Sequence, residues 1–338
     1  MQEFSKYFDS WLYGEDGYYS NYKSIGKSGD FYTAVSTSMF FGGSIAKKII
    51  QVIENGELPN DTTIVEVGAH HGYLLGDIIQ FIYTLKPELL DTLKFAIVER
   101  FEHLRASQKG YFKASFGDVI DLVHYNDISE VKQDSAFVVA NEIFDAFSCE
   151  LIYTKDGVIQ KAFVDDNHHI KFEDCEDSEI LEFCAKYKME KGEYPLYYKE
   201  FAKVLSENIG NFHFCTFDYG DVYTRNDFSA RIYHKHKVFP IFEEGINLKE
   251  LYKSSDITYD VPFTYLMDCF KDLGCEVEFH TQLQALVEFG IIDLLEILKN
   301  NTSEEHYLKE VNKVKILLEP TGMGDRFKMI YVKKSSNL

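Results

Sequence analysis

The sequence predicts an α/β protein: a mostly parallel sheet with helices on both faces, plus a smaller inserted α+β region. Three observations carry this. Between residues 62 and 145, short β-branched runs alternate with stretches whose apolar residues recur at helical spacing, the pattern of strand–helix–strand crossovers. "IVEVGAHHGYLLGDII" (64–79) passes from an apolar run through two glycines into an amphipathic stretch, as a strand, a tight turn and a helix would. Residues 150–164 then break the alternation, because two period-2 runs flank Asp156-Gly157, a hairpin signature.

Taken in order, "TTIVEV" (62–67) reads as a buried strand and "YLLGDIIQFIYTL" (73–85) as its crossover helix. "LKFAIVE" (93–99) is a second strand, followed by the helical "EHLRASQKGYF" (102–112). "SAFVVAN" (135–141) is a third. The antiparallel element at 150–164 follows, and the sheet resumes at "NFHFCTFDYG" (211–220). "VPFTYLMDCFKDLG" (261–274) reads as a helix ending at Gly274. "CEVEFHT" (275–281) and "RFKMIYVKK" (326–334) read as closing strands, with 281–318 helical or loop-rich. The expected organisation is a main domain of 1–150 and 208–338, with 1–55 as helical cover and 151–207 inserted.

Composition narrows the function. The chain has 338 residues, 45% hydrophobic and 27% charged, with a formal net charge of -20. Binding a nucleic-acid backbone needs a lysine and arginine surplus, so that partner class is not expected. The small basic run "YHKHK" (233–237) reads as a surface or substrate-facing segment. No apolar run of about 18 residues exists, so no membrane insertion is expected. The first residues lack a basic stretch followed by an apolar one, which argues against a secretion signal. The six cysteines never form CxxC, and read as reduced, packed thiols in a cytoplasmic protein. His70-His71 have no cysteine or carboxylate partner at ligand spacing, His168-His169 follow two aspartates in a polar stretch that reads as a solvated turn, and His234 and His236 could share one strand face; no metal site is expected.

The candidate site lies at the strand ends. A strand that turns at glycines into a helix presents backbone N–H groups to an anionic or polar ligand. The dinucleotide pattern GxGxxG is absent, since Gly68 and Gly72 stand four apart. Glu66, two residues before the first glycine, fits better the ExGxGxG loop of S-adenosylmethionine enzymes. Glu66 either touches ligand or only orients the loop through backbone amides. Glu99, at the tip of the next strand, can accept hydrogen bonds from both hydroxyls of a ribose. Asn141 and Glu142 end the third strand at the same edge.

The whole chain resembles the MidA and mitochondrial complex I assembly methyltransferase family. "GDFYTAVSTSMFFGGSIA" (29–46) is similar to its GDFxT segment and phenylalanine-glycine helix, "EVGAHHG" to ELGPGRG, "VERFEHLRASQ" (98–108) to VExSPxLRxxQ, and "ANEIFDAF" (140–147) to ANExFDAL. "FDYGDVY" (217–223), "ARIYHKHK" (230–237), "DITYDVPF" (256–263), "TQLQALVEFGI" (281–291) and "TGMGDRFKMI" (321–330) follow in family order. The resemblance implies a class I methyltransferase-like, Rossmann-like fold. It implies S-adenosylmethionine as cofactor and a protein arginine as acceptor, on a respiratory complex I-type subunit. It places Gly29, Asp30, Thr33, Glu66, Gly68, Ala69, His70, Gly72, Glu99 and Asn141 around the cofactor, with Glu142 and then Asp145 orienting the guanidinium. Gly29, Asp30 and Thr33 either close the pocket over the methionine part or, for Asp30, cap the next helix. One departure stands out: Ala69, His70 and His71 replace the family's proline, middle glycine and arginine. Histidine tolerates the left-handed region better than most residues but adds a ring. That leaves an assembly factor with little or no transfer as the alternative. A nicotinamide-dependent oxidoreductase is disfavoured by the missing GxGxxG.

Overall fold

The computed structural model describes residues 1–20 and 33–335. The chain forms two compact units. One gathers the described residues of Met1–Phe31 with Phe144–Glu200 and Tyr219–Leu266, and the other comprises the described residues of Tyr32–Ile143, Phe201–Asp218 and Met267–Leu338.

The second unit is built on a sheet of seven strands: β1 (Thr63–Val67), β2 (Lys94–Val98), β3 (Leu122–Tyr125), β4 (Gln133–Asn141), β5 (Ile209–Asp221, of which 209–218 lie in this unit), β6 (Glu276–Thr281) and β7 (Phe327–Lys334). Their order across the sheet is β3-β2-β1-β4-β5-β7-β6. β1 pairs parallel with β2 and β4, β2 with β3, and β4 with β5, while β6 and β7 pair antiparallel. The buried strands are nearly continuous apolar runs: all five residues of β1 and Ala136–Ala140 of β4 are buried, as a sheet covered on both faces requires. Three helices matter for the site: α1 (Phe40–Glu54), α2 (Tyr73–Leu85) and α3 (Glu102–Phe116). α1 and α2 approach closely because Gly42 and Gly43 lack side chains. A Cβ on Gly42 would fall 2.7 Å from Asp77 Cβ, and one on Gly43 2.7 Å from the Phe81 ring.

In the other unit an amphipathic helix (Phe4–Leu12) buries Phe4, Tyr7, Phe8, Trp11 and Leu12. Trp11 Nε1 donates to Ser255 O at 2.7 Å. Antiparallel strands Cys149–Lys155, Val158–Val164, Ile170–Asp174 and Lys191–Pro195 form its larger sheet, with Gln2–Glu3 added along Phe163 and Val164. The turn at Asp156-Gly157 has φ of 51° and 80°, the mirror-image turn expected of a tight hairpin. A three-stranded sheet of Arg231–His234, Lys237–Pro240 and Asp256–Thr258 completes it.

The division differs from the one expected from sequence. The antiparallel unit is not the single insertion 151–207. It also recruits the first helix, through the Gln2–Glu3 ladder and the apolar face of Phe4–Leu12, and the segment Tyr219–Leu266. Residues 201–207, expected in the insertion, belong to the parallel-sheet unit.

Candidate active site

The sheet order reverses between β1 and β4. From β1 the chain runs outward to β2 and β3, then returns to β4 on the other side. A crevice outside the carboxyl ends of the strands opens at such a switch point. Register fixes what lines it. Val67 pairs with Val98 and Ala140, and Phe217 of β5 pairs with Asn141, so Gly68, Glu99, Asn141 and Asp218 follow at neighbouring strand ends. The turns after β1 and β4 meet there, because a Cβ on Gly68 would stand 2.8 Å from Ile143 Cγ2.

The β1–α2 turn is held by its backbone. Gly68, His70 and Gly72 have φ of 72°, 48° and 78°. Gly68 N–H donates to Val98 O at 3.0 Å and Gly72 N–H to Ala69 O at 2.7 Å. Glycine reaches the left-handed region freely, and histidine visits it at a cost. His70 therefore adopts the backbone form of the glycine it replaces, and its ring meets that of His71 with centroids 4.0 Å apart. Gly72 caps α2 without a side chain, and Glu66 makes up for it: its Oε2 accepts from Leu75 N–H at 3.0 Å. Of the two roles open to Glu66, the loop-orienting one is thus observed. Burial pushes its carboxyl up to about 8, with Asp77 and Glu99 adding repulsion. Asp77 is pushed up to about 7 by its own burial, and among the described residues no cation is paired with it.

Glu99 ends β2 buried. Its Oε1 accepts from Phe101 N–H at 3.1 Å, and burial raises its pKa. Arg105 Nη1 clamps the turn by donating to the carbonyls of Glu99 (2.7 Å) and Arg100 (2.9 Å). Asn141 Nδ2 donates to Glu142 Oε1 at 2.7 Å. Asn141 Oδ1 is buried with no hydrogen-bond partner among the described residues. Glu142 has φ of 53°, a strained conformation held by its N–H donating to Phe217 O at 2.9 Å.

Other expected residues fall elsewhere. Gly29 and Asp30 lie outside the described residues. Thr33 caps the short helix Ala34–Thr37, in a capping box with Ser36. Ala69 is buried under the turn. Asp145 belongs to the other unit, where it is 4% exposed and its carbonyl accepts from Tyr259 N–H at 3.1 Å. His234 and His236 do not share a strand face: His234 ends a strand, while Lys235 and His236 form the turn with φ of 51° and 64°. No group of three histidine, cysteine or acidic side chains among the described residues could hold a metal ion, and no described helix is long and apolar enough to cross a membrane.

Sequence reasoning missed Gln108. Fully buried on α3, it donates through Nε2 to His70 O at 2.8 Å and meets His124 Nε2 through Oε1 at 2.9 Å. It closes the "VERFEHLRASQ" stretch, but spacing alone gives no reason to select it. Asp218, completely buried at the end of β5, was likewise passed over inside "FDYG".

The donor set suits S-adenosylmethionine. The buried, unmatched Asn141 Oδ1 needs a donor, and the adenine amino group carries one. The Glu99 carboxylate suits a ribose diol, and Glu66, Asp77 and Glu99, where ionised, favour a cationic ligand over a neutral one.

Residues 44–281 match the family model described as "Putative S-adenosyl-L-methionine-dependent methyltransferase". The chain is 22% identical to the protein arginine methyltransferase NDUFAF7, mitochondrial, of Danio rerio, over 95% of this chain and 81% of that protein. It is 24% identical to the Drosophila melanogaster NDUFAF7 homolog, over 44% of this chain and only 38% of the relative. A Burkholderia thailandensis protein solved with S-adenosyl-homocysteine superposes with a TM-score of 0.83 at 21% identity, covering 99% of this chain and 88% of that one, a likeness of fold.

Proposed function

The chain belongs to this family of S-adenosylmethionine-dependent methyltransferases, and from that premise we propose that it methylates an arginine of a protein partner, a respiratory complex I-type subunit being the first candidate. The observation that carries the reading is the Asn141–Glu142 pair. In it a carboxylate borne on a strained backbone stands beside an unmatched buried amide oxygen, at the switch point of the sheet. The acceptor type rests on the arginine methyltransferases to which the chain is similar.

When bound, S-adenosylmethionine supplies a methyl group on a sulfonium. The remaining work is alignment, because a displacement of this kind needs the nucleophile in line with carbon and sulfur. A guanidinium nitrogen of the acceptor would take that methyl group and shed a proton. Glu142 would localise the guanidinium charge, orient one nitrogen and take up that proton. Glu99 would hold the ribose and Asn141 the adenine amino group.

A second reading, an assembly factor that binds the cofactor without transfer, draws on one observation: His70 occupies the left-handed position of the family's middle glycine. Calorimetry with S-adenosylmethionine and S-adenosyl-homocysteine, followed by transfer to the complex I-type subunit, tests both. Binding with methyl transfer supports the first reading. Binding without transfer to any arginine-bearing acceptor supports the second, and absence of binding overturns both.

A further inference from the structure

The antiparallel unit contains an open cleft that none of the roles above uses. Its walls come from two stretches, "FDYGDVY" and "DITYDVPF", together with Lys191–Glu193 and the helix Ser178–Tyr187. Gly220 makes the wall possible: at φ of 148°, a Cβ there would fall 2.1 Å from Val261 O. Carboxylates and aromatic rings share the lining, with Asp221 and Asp260 beside Phe183, Tyr187 and Tyr265, while Asp227 is paired with Lys191 at 2.6 Å.

One feature of the cleft indicates its ligand. Asp260 carries two guanidinium groups. Arg231 approaches from inside, its Nη1 2.5 Å from Oδ1, its Nε donating to Tyr233 OH at 2.9 Å and its guanidinium 5.5 Å from the centroid of the Tyr219 ring. Arg225 approaches from the lining itself, its Nη1 donating to Asp260 Oδ2 at 3.0 Å, with a side chain that remains 66% exposed. A buried arginine fixed on three sides is structural. An exposed arginine resting on one carboxylate oxygen is held weakly, because a pair of this kind contributes only about 0–1 kcal/mol. Arg225 thus shows the mouth of the cleft accepting a guanidinium that can be displaced. The aromatic lining suits the same guest, since guanidinium groups stack on ring faces, and the chain's net charge of -20 attracts basic polypeptides.

We propose that this cleft docks a basic side chain, an arginine, of the polypeptide acceptor, and that Arg225 is a resident stand-in displaced when the acceptor binds. The choice of arginine rests on the methyltransferase reading above. Asp260 provides the carboxylate and the aromatic wall the face on which the guanidinium lies.

The test is calorimetry of the full chain, without cofactor, against an acetylated glycine-serine peptide carrying one central arginine and the same peptide with citrulline, which keeps the shape and lacks the charge. The arginine peptide should bind and the citrulline peptide should not. Arg225→Ala, an exposed change that should not disturb folding, frees Asp260 Oδ2 and should tighten binding about threefold, the size of a weak surface pair. Asp260→Asn should weaken binding tenfold or more; because it also leaves Arg231 without its partner, its melting curve is recorded alongside. Equal binding of the two peptides, no binding of either, or an unchanged or weaker affinity for Arg225→Ala overturns the assignment. Because the assay requires no turnover, it separates the two readings. A chain that binds the arginine peptide yet transfers no methyl group would fail the methyltransferase reading alone. One that methylates its acceptor while Arg225→Ala leaves peptide affinity unchanged would fail this one alone.

Discussion

At the scale of single residues, the strand ends have separable jobs. Glu99→Ala removes a buried carboxylate placed for a ribose diol and should weaken S-adenosylmethionine binding by about 2–3 kcal/mol. Alanine also removes the acceptor for Phe101 N–H, so Glu99→Gln is the sharper probe: it keeps an acceptor for the turn and loses the charge. If both variants bind as wild type does, Glu99 does not grip the ribose. His70→Gly should keep or tighten cofactor affinity, because glycine takes the φ of 48° without the cost of roughly 1–2 kcal/mol that other residues bear. A marked loss of affinity would instead show that the imidazole touches the ligand. Glu142→Gln should leave folding and cofactor affinity near wild type and lower methyl transfer by roughly 10²-fold, the size expected for losing a general base. Wild-type turnover in Glu142→Gln would remove the role assigned to it.

At the scale of elements, the glycine turn works because four pieces meet there: the end of β1, the start of α2, Glu66 and Gln108. The strands and the hairpin were legible because each is a long apolar or alternating run bounded by its own turn residues, as in "TTIVEV" and around Asp156-Gly157. β3 was not, because "LVHY" is four residues long and only half-buried on the sheet's edge, so it carries neither a buried run nor an alternation. The His234–His236 turn was misread for a related reason: a tight turn of this hand usually announces itself with asparagine or glycine, and Lys235-His236 does not. The placement of Gly68, Glu99 and Asn141 at strand ends could be read from sequence, since position along a strand fixes it. Gln108 could not, because its role exists only once α3 packs back over the turn. Gln108→Ala should therefore raise the KM for cofactor with a smaller effect on kcat, and Gln108→Glu, which keeps an acceptor for His124 but loses the donor to His70 O, should not rescue it. Full rescue by glutamate would show that the contact to His124, not to the loop, is what matters.

At the scale of the whole molecule, the acidity of the chain and the burial of its carboxylates act together on stability. Glu66 and Glu193 are raised to about 8 and about 7, and Asp77 to about 7, chiefly by desolvation. Raised folded-state values mean that the folded form binds these protons more tightly than the unfolded form does. Their contribution is therefore fully present below about pH 4.5, and it is lost as pH rises through about 7 to 8. Glu3, lowered to about 2 by Lys161 and Lys6, works in the opposite sense, its contribution fading only as pH falls from about 4.5 toward 2. Between about pH 5 and 8 the first set dominates, and a net charge of -20 adds self-repulsion as the protons leave. The melting temperature of the cofactor-free protein should thus fall across that window. Glu66→Gln keeps an acceptor for Leu75 N–H while removing one titrating group, so it should flatten the slope and be more stable than wild type at pH 8. A cationic ligand near Glu66, Asp77 and Glu99 favours their ionised forms, so S-adenosylmethionine affinity should rise with pH over the same range, and more steeply than that of neutral S-adenosyl-homocysteine. Thermal melts of wild type and Glu66→Gln at pH 5, 6, 7 and 8, with and without each ligand, decide the matter. A melting temperature that rises with pH in the free protein, or a slope that Glu66→Gln leaves untouched, would show that Glu66 is already ionised in the folded chain and that its environment is wetter than the packing around it implies.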